Sequence, residues 1–196
     1  MKIGIMGGSF DPVHNGHIDM AYYCKKEFCL DKIMFLPLGD PPHKKNITDK
    51  EIRIKMLEKA IESEENFFLS RIEADRIGKT YTFDTISWLK QNTSDEYFFI
   101  IGGDSLNSLH SWYRAEELFE ILDFIVVDRC NVDENEGYIR AKKMGARLHM
   151  SEHTGLDISS TEVRRKVKNN SDISGDVPNG VTEIIKQYGL YTNWEN

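Results

Sequence analysis

The sequence predicts an α/β protein built on a doubly wound, mainly parallel sheet with helices on both faces. Short apolar runs rich in β-branched and aromatic residues alternate with segments of helical period along the chain. Strands that alternate with helices in this way pair in parallel through right-handed crossovers. No stretch rich in Pro, Gly or Ser divides the chain. We therefore expect residues 1–196 to form a single Rossmann-like domain, with the helices after about residue 159 packed on it.

The individual elements follow from the hydrophobic period and from turn and capping residues. Strands are expected at 2–6, 32–36, 67–72, 97–101, 124–127 and 147–150. Helices are expected at 15–28, 48–61, 81–91, 137–145, 159–167 and 181–188. The S/T-x-x-E spacing of a capping box opens two of these helices, at Thr48 and at Ser159. Polar motifs follow the first, second and fourth strands, which places them at the carboxyl edge of the sheet, where such folds bind ligands.

Composition and charge exclude several classes of protein. Lys and Arg total 25 against 32 Asp and Glu, and the formal net charge of −7 argues against nucleic acid or an anionic membrane as a partner. No run approaches the ~18 apolar residues of a membrane span. The three cysteines are scattered, as is usual for free thiols in a reducing cytoplasm, so we expect a cytoplasmic protein.

The segment from Gly7 to His17 carries the first chemical signal. Gly7 and Gly8 follow the first strand, and their backbone N–H groups can approach a ligand closely. The helix that begins next adds the partial positive charge of its N-terminus. His14 and His17 are three residues apart in its first turn and therefore lie on one face. This arrangement suits an anion that gains charge during a reaction.

Other phosphate-binding and metal-binding motifs do not match this segment. It lacks the Gly-Lys-Ser/Thr of a Walker A loop and the G-x-G-x-x-G spacing of dinucleotide-binding dehydrogenases. Two histidines need a further ligand to hold zinc, and no H-E-x-x-H or paired C-x-x-C is present. We therefore predict no metal bound by protein side chains.

Two later segments could join this site. At 158–164 the chain reads Ile-Ser-Ser-Thr-Glu-Val-Arg, in which Arg164 follows the capped helix start by about one turn and can reach an anion held there. The alternative is a solvated basic face from Arg164 to Lys166 on a surface helix. Gly102-Gly103-Asp104 ends the fourth strand, where glycines admit a nucleoside and a carboxylate can accept bonds from ribose hydroxyls. Asp104 could equally serve only as a helix cap.

The motif Gly-x-Phe-Asp-Pro-x-His-x-Gly-His at 8–17 resembles the signature of the nucleotidyltransferase superfamily that has an H-x-G-H motif. The 158–164 segment resembles its second motif, I-S-S-T-x-x-R. Within that superfamily the chain is similar to the bacterial nicotinate mononucleotide adenylyltransferases. The features that point to this branch are Pro-Pro-His-Lys at 41–44, Tyr-Thr-Phe-Asp-Thr at 81–85 and Trp-Tyr at 112–113.

The resemblance implies transfer of AMP from ATP to nicotinate mononucleotide, which yields deamido-NAD and pyrophosphate in NAD biosynthesis. The implied catalytic residues are His14, His17 and Arg164. The implied ATP-binding residues are Gly8, Ser9, Phe10, His17, Gly102, Asp104, Ser160, Thr161 and Arg164. Those implied for the mononucleotide are Gly7, Lys44, Thr82, Trp112 and Tyr113. Mg²⁺ is expected on the ATP phosphates without dedicated protein ligands.

The sequence departs from this family pattern in two places. Ser9 stands where Thr is frequent and keeps the hydroxyl, and Arg129-Cys130-Asn131 replaces the frequent Arg-Pro-Gly, so we assign no site residue between 129 and 153. Three questions stay open. The acceptor could be nicotinamide mononucleotide or phosphopantetheine, the fold could serve as a non-catalytic nucleotide sensor, and the chain could form a homo-oligomer.

Overall fold

Six parallel strands form one sheet in the part of the chain that the structure, a computed structural model, describes: residues 1–39, 47–127 and 135–194. The spatial order is β3-β2-β1-β4-β5-β6. Every neighbouring pair is parallel, which confirms the predicted doubly wound sheet. The strands are β1 (Lys2–Gly8), β2 (Lys32–Pro37), β3 (Phe67–Leu69), β4 (Glu96–Gly102), β5 (Asp123–Val127) and β6 (Arg147–Met150).

Helices cover both faces of this sheet. They are α1 (Asn15–Glu27), α2 (Lys50–Ile61), α3 (Thr82–Asn92), α4 (Gly103–Ser108), α5 (Ala115–Ile121), α6 (Glu136–Lys143), α7 (Ser160–Lys168) and α8 (Val181–Gln187), with a 3-10 turn at Leu109–Ser111. One buried cluster packs α1, α2, α7 and α8 against the sheet, and a second packs α3 to α6 against the opposite face. Of the helices described, each is too short or too polar to cross a membrane.

Three details of the sequence prediction were wrong. Asp49, not Thr48, caps α2, and its side chain accepts the N–H of Glu51. β3 ends at Leu69 instead of residue 72, because the chain then turns, with the N–H of Asp75 bonded to the Arg71 carbonyl. Helices α4 and α5 were not predicted, since α4 has only 6 residues and begins at a glycine, and α5 follows Arg114 in the left-handed region, which no sequence pattern indicates.

The edge formed by the ends of β1 and β4 positions the functional residues. The chain runs from β1 to β2 on one side, whereas β4 lies on the other side of β1, so the strand order reverses between β1 and β4. Ligands bind in the crevice outside the carboxyl ends of strands at such a reversal. Both strands end in glycine, at Gly8 and Gly102, which leaves open space in front of the sheet.

Candidate active site

A cavity of about 1230 Å³ lies in front of this reversal. It is bounded by the ends of β1 and β4 and by the first turns of α1, α4 and α7. The sequence-predicted site residues that line it are Gly7, Gly8, Ser9, Phe10, His14, His17, Thr82, Gly102, Asp104, Trp112 and Ser160. The fold therefore gathers the motifs that follow β1 and β4, together with the start of α7, around one space.

The two histidines are held together at the start of α1. His14 is the N-cap residue in extended backbone conformation, and its N–H donates to Nδ1 of His17 over 3.2 Å. The ring centroids are 3.7 Å apart. A Cβ at Gly16 would lie 3.0 Å from His14 Nδ1, so a larger residue at this position would press on the His14 ring. Because Nδ1 of His17 accepts a bond, the neutral ring carries its proton on Nε2, where it can be donated to a ligand.

Burial keeps both imidazoles neutral at pH 7. It lowers the pKa of His14 to about 4, an effect that the Asp176 carboxylate partly opposes. The pKa of His17 lies well below its ordinary value because its ring is buried and because His14 lies beside it. The pair therefore offers neutral N–H donors, and an incoming phosphate would raise both pKa values.

Phe10 packs against the His17 ring and helps to fix its position. Its side chain is buried, and its ring meets that of His17 edge-on, with the centroids 5.0 Å apart. The backbone of Phe10 has a φ of 48°, in the left-handed region, and this turns the chain sharply after Gly8. At Gly7 a Cβ would come within 2.8 Å of the Phe99 ring, so any side chain there would displace that ring.

The first turn of α7 forms another wall of the cavity. Ser159 caps it and accepts the N–H of Glu162, which confirms half of the predicted capping box. The hydroxyl of Ser160 donates to the Pro12 carbonyl over 2.9 Å and ties this helix to the segment that precedes α1. The remaining N–H groups of this first turn lie at the positive end of the helix, where an anion is favoured.

Arg164 and Thr161 are not among the cavity-lining residues. The Arg164 guanidinium donates to the Asp11 carbonyl over 2.6 Å and to the Thr161 hydroxyl over 3.1 Å. It also lies 4.2 Å from the centroid of the Trp194 ring. Nε of Arg164 is buried and, among the described residues, has no hydrogen-bond partner. In this conformation Arg164 supports the loop before α1 from behind and does not face the cavity.

An aromatic wall closes the opposite side of the cavity. Trp112 is half-buried and meets Phe99 and Phe124 edge-on, at centroid distances of 5.8 and 6.3 Å. Thr82 opens α3 beside it. Tyr113 does not line the cavity, and instead it stacks on Tyr81 at 4.2 Å with about half of its surface exposed. Lys44 lies outside the described residues.

A buried carboxyl group in the aromatic wall was missed by the sequence analysis. Glu73 lines the cavity and accepts a bond of 2.8 Å from the hydroxyl of Thr85. Burial raises the pKa of its carboxyl group. In the sequence it is one acid in the charged stretch 71–76, and no local signal distinguishes it from its exposed neighbours.

Arg53 was missed as well, although it supports both sides of the cavity. This side chain is fully buried under the segment that follows β1. Its guanidinium donates to the carbonyls of Ser9 at 2.7 Å, Leu38 at 3.0 Å, Gly39 at 2.9 Å and Thr48 at 2.8 Å. An arginine on the apolar face of a predicted helix was the one available signal, since charged residues are almost never fully buried unless they are paired.

The described residues contain no group of three or more His, Cys, Asp and Glu side chains able to hold a metal ion. Carboxylates reach the cavity singly, at Glu73, Asp104, Asp157 and Glu162.

A parallel sheet with a cavity at its strand-order reversal and two histidines at the first helix start is typical of nucleotidyltransferases. The family model described as cytidylyltransferase-like matches residues 5–166, and the chain belongs to that family. Within it the chain belongs to the nicotinate-nucleotide adenylyltransferases, as the sequence motifs predicted.

Relatives in two bacteria support this assignment over nearly the full length. Both are named probable nicotinate-nucleotide adenylyltransferases. The protein from Clostridium tetani is 38% identical over 97% of this chain and 98% of its own. The protein from Exiguobacterium sibiricum is 38% identical over 97% and 99%.

A solved structure shares the fold. It is the nicotinic acid mononucleotide adenylyltransferase of Plasmodium falciparum complexed with NaAD, and it matches with a TM-score of 0.83 at 22% identity over 97% of each chain. The same Plasmodium falciparum enzyme complexed with APC matches with a TM-score of 0.76 at 20% identity over 97% of each chain.

Proposed function

We propose that this protein transfers AMP from ATP to nicotinate mononucleotide, which forms deamido-NAD and pyrophosphate in NAD biosynthesis. A 5′-phosphate oxygen of the mononucleotide attacks the α-phosphorus, the new P–O–P bond forms, and the bond to the β-phosphate breaks as pyrophosphate leaves. The observation that carries the proposal is the pair of histidines, His14 and His17, in the glycine-lined cavity between the ends of β1 and β4. Membership of the family and the names of the relatives support the choice of substrates.

The chemistry needs positioning and charge stabilisation more than a base. The attacking phosphate oxygen is already ionised near neutral pH, so no proton has to be removed from it. Nε2–H of His17 and the His14 ring would donate to the α- and β-phosphate oxygens as negative charge shifts toward the leaving group. The start of α7 at Ser159 and Ser160 would hold the pyrophosphate. Catalysis then rests on an in-line geometry and fixed donors.

We propose that Mg²⁺ enters with ATP, bound mainly by phosphate oxygens and water. The single carboxylates around the cavity suit this, because Mg²⁺ usually keeps several waters and takes few protein ligands. The ion would neutralise phosphate charge. The protein would then need only to orient the phosphates toward the two histidines.

The aromatic wall suits the pyridine ring of the acceptor. The half-buried indole of Trp112 can stack on an electron-poor pyridinium, an interaction worth about 0.5–2 kcal/mol. Thr82 is the first residue of α3, whose N-terminus favours a carboxylate such as that of nicotinate. By resemblance, Lys44 would pair with the acceptor phosphate. In this proposal Arg164 stabilises the loop before α1 through its bond to the Asp11 carbonyl when no substrate is bound. It would contact a phosphate only after its guanidinium moves off the Trp194 ring.

Pyrophosphate release tests the proposal directly. The protein is supplied with Mg-ATP and, in separate reactions, nicotinate mononucleotide, nicotinamide mononucleotide or phosphopantetheine, and the product mass is measured. We expect rapid release and the mass of deamido-NAD with the first acceptor. Faster turnover of either other acceptor would replace the proposed substrate. ATP binding without release for any acceptor would indicate a nucleotide sensor.

A further inference from the structure

An ion pair between Lys166 and Asp176 lies at the cavity wall. Nζ of Lys166 lies 2.7 and 2.9 Å from the two carboxylate oxygens of Asp176. Both side chains are partly buried, with 33% of the lysine and 17% of the aspartate side chain exposed. Lys166 lines the cavity, so it is not part of the solvated basic face that the sequence left as an alternative for 164–166.

Lys166 differs from the other cations of α7. Arg164 is turned to the Asp11 carbonyl and the Trp194 ring, and Arg165 forms a bidentate pair with Glu162. Neither arginine lines the cavity in the described part of the chain. Among the described residues, Lys166 is therefore the one cation of α7 that lines the cavity.

Asp176 is fixed beside the histidines through its backbone. The N–H of Asn15, the first residue of α1, donates to the Asp176 carbonyl over 2.7 Å, and the Asn15 amide donates to the Gly175 carbonyl over 2.9 Å. The carboxylate of Asp176 is near enough to His14 to act on its charge state. A bare carboxylate at this point would repel an incoming phosphate.

We propose that Lys166 is a polyphosphate-binding residue that Asp176 holds in place until ATP enters. The proposal rests on the function proposed above. Lysine is a compact point charge on a flexible four-carbon stem, so it can exchange one anionic partner for another over a short distance. On binding, the ammonium group contacts the β- or γ-phosphate while Asp176 stays on its far side. The Lys166 ammonium group would then stabilise the negative charge of the leaving pyrophosphate.

Binding experiments on four proteins separate this role from simple neutralisation of Asp176. Calorimetry with Mg-ATP is run on the wild type, Lys166→Met, Asp176→Asn and the double variant, without any acceptor. We expect Lys166→Met to weaken ATP binding by about 10- to 100-fold, the value of one charge-assisted hydrogen bond. Asp176→Asn should bind ATP as tightly as the wild type or more tightly. The double variant should remain about tenfold weaker than Asp176→Asn.

Two controls make the result specific. Lys168→Met removes an exposed lysine from the same helix and should leave ATP affinity unchanged. Adenosine and AMP should bind Lys166→Met as they bind the wild type, whereas a loss of fold would weaken every ligand. Lys166→Arg should restore most of the ATP affinity.

A double variant that binds ATP as well as Asp176→Asn would overturn the proposal, because Lys166 would then act only to neutralise Asp176. Unchanged ATP binding by Lys166→Met would overturn it as well. Failure of the wild type to turn over nicotinate mononucleotide would contradict the proposed function instead, and these binding results would still decide the role of Lys166.

Discussion

The two sides of the cavity are built on different principles. The phosphate edge consists of His14, His17, Ser159, Ser160 and Lys166, and its donors sit in the first turns of two helices or one turn beyond. The aromatic edge is the aromatic wall described above together with Leu38. Its cavity-lining residues are Leu38, Glu73, Thr82, Phe99 and Trp112, which come from five separate segments of the chain.

This difference explains what each side can do. A helix start fixes several donors at once, since the backbone geometry of a single turn places them all, so the phosphate edge suits charge that develops in a transition state. The aromatic edge relies on side-chain packing between distant segments and offers surface area with few fixed donors. We therefore expect the first edge to govern the rate and the second to govern which acceptor binds.

The largest effect is expected at His17. His17→Ala removes the Nε2–H donor, and loss of one such donor typically lowers kcat by about 10²–10³-fold. Steady-state kinetics with both substrates would measure this, and circular dichroism would confirm the fold. His149→Ala is the matched control, since His149 is exposed on β6 and pairs with Asp123 away from the cavity. Wild-type turnover by folded His17→Ala would refute the assigned role.

Arg53 connects the Ser9 turn after β1 to Leu38 of the aromatic edge, so its loss should disturb the backbone behind the cavity. Arg53→Met leaves four carbonyl acceptors without this donor, and we expect the free energy of unfolding to fall by about 3 kcal/mol or more. Urea denaturation measures this change. Arg71→Met, which removes a surface arginine paired with Glu51 and Asp75, should cost far less, because solvent screens exposed ion pairs. Equal losses for the two variants would contradict the connecting role.

Acid should affect the two edges in opposite directions. The pKa of His14 is about 4 in the folded protein against 6.5 unfolded, so between these values the unfolded chain binds a proton that the native chain does not. Unfolding free energy therefore falls as the pH drops from 6.5 to 4, by about 3 kcal/mol from His14, and His17 adds in the same direction. At Glu73 burial raises the folded pKa above the unfolded value of 4.5. The stability that this group contributes therefore falls as the pH rises from 4.5 toward the folded pKa.

Matched variants separate the two contributions. His14→Asn should flatten the loss of stability below pH 6.5, and Glu73→Gln should flatten the opposing change above pH 4.5. Thermal unfolding across pH 4 to 8 gives both slopes. Parallel curves for His14→Asn and the wild type would show that the buried imidazole does not titrate as described.

The smallest effect is expected at Trp112. Trp112→Ala should raise the KM for nicotinate mononucleotide by about 2- to 30-fold, the value of one cation–π contact, and leave the KM for ATP nearly unchanged. Trp88→Ala is the control, because Trp88 is exposed on α3 and does not line the cavity. Equal increases in both KM values for Trp112→Ala would argue against stacking on the acceptor.

The sequence predicted the phosphate edge better than the aromatic edge, for a physical reason. His14, His17 and the Ser159 cap act within single helical turns, so their spacing along the chain determines their geometry. Trp112 and Thr82 were predicted by resemblance, whereas Glu73 and Arg53 depend on contacts between distant segments. The family arginine, Arg164, shows the limit within one helix, because helical period alone did not predict that Trp194 and Asp11 would hold it outside the cavity.

The same difference between local pattern and long-range contact holds for the fold. Alternation of strands and helices predicted parallel pairing and both covered faces. The contact between the segment after α8 and the segment before α1 was not predictable, since the Tyr191 hydroxyl donates to the Asp11 carboxylate over 2.7 Å across 180 residues of sequence. Such long-range contacts carry no periodic signal.

Two-substrate kinetics on the wild type, His17→Ala, Trp112→Ala and the double variant test the division between the edges most directly. The account predicts that His17→Ala lowers kcat about 10²–10³-fold with little change in acceptor KM, that Trp112→Ala raises acceptor KM with little change in kcat, and that the effects multiply. A double variant no worse than His17→Ala, or a single variant that changes both constants equally, would contradict it.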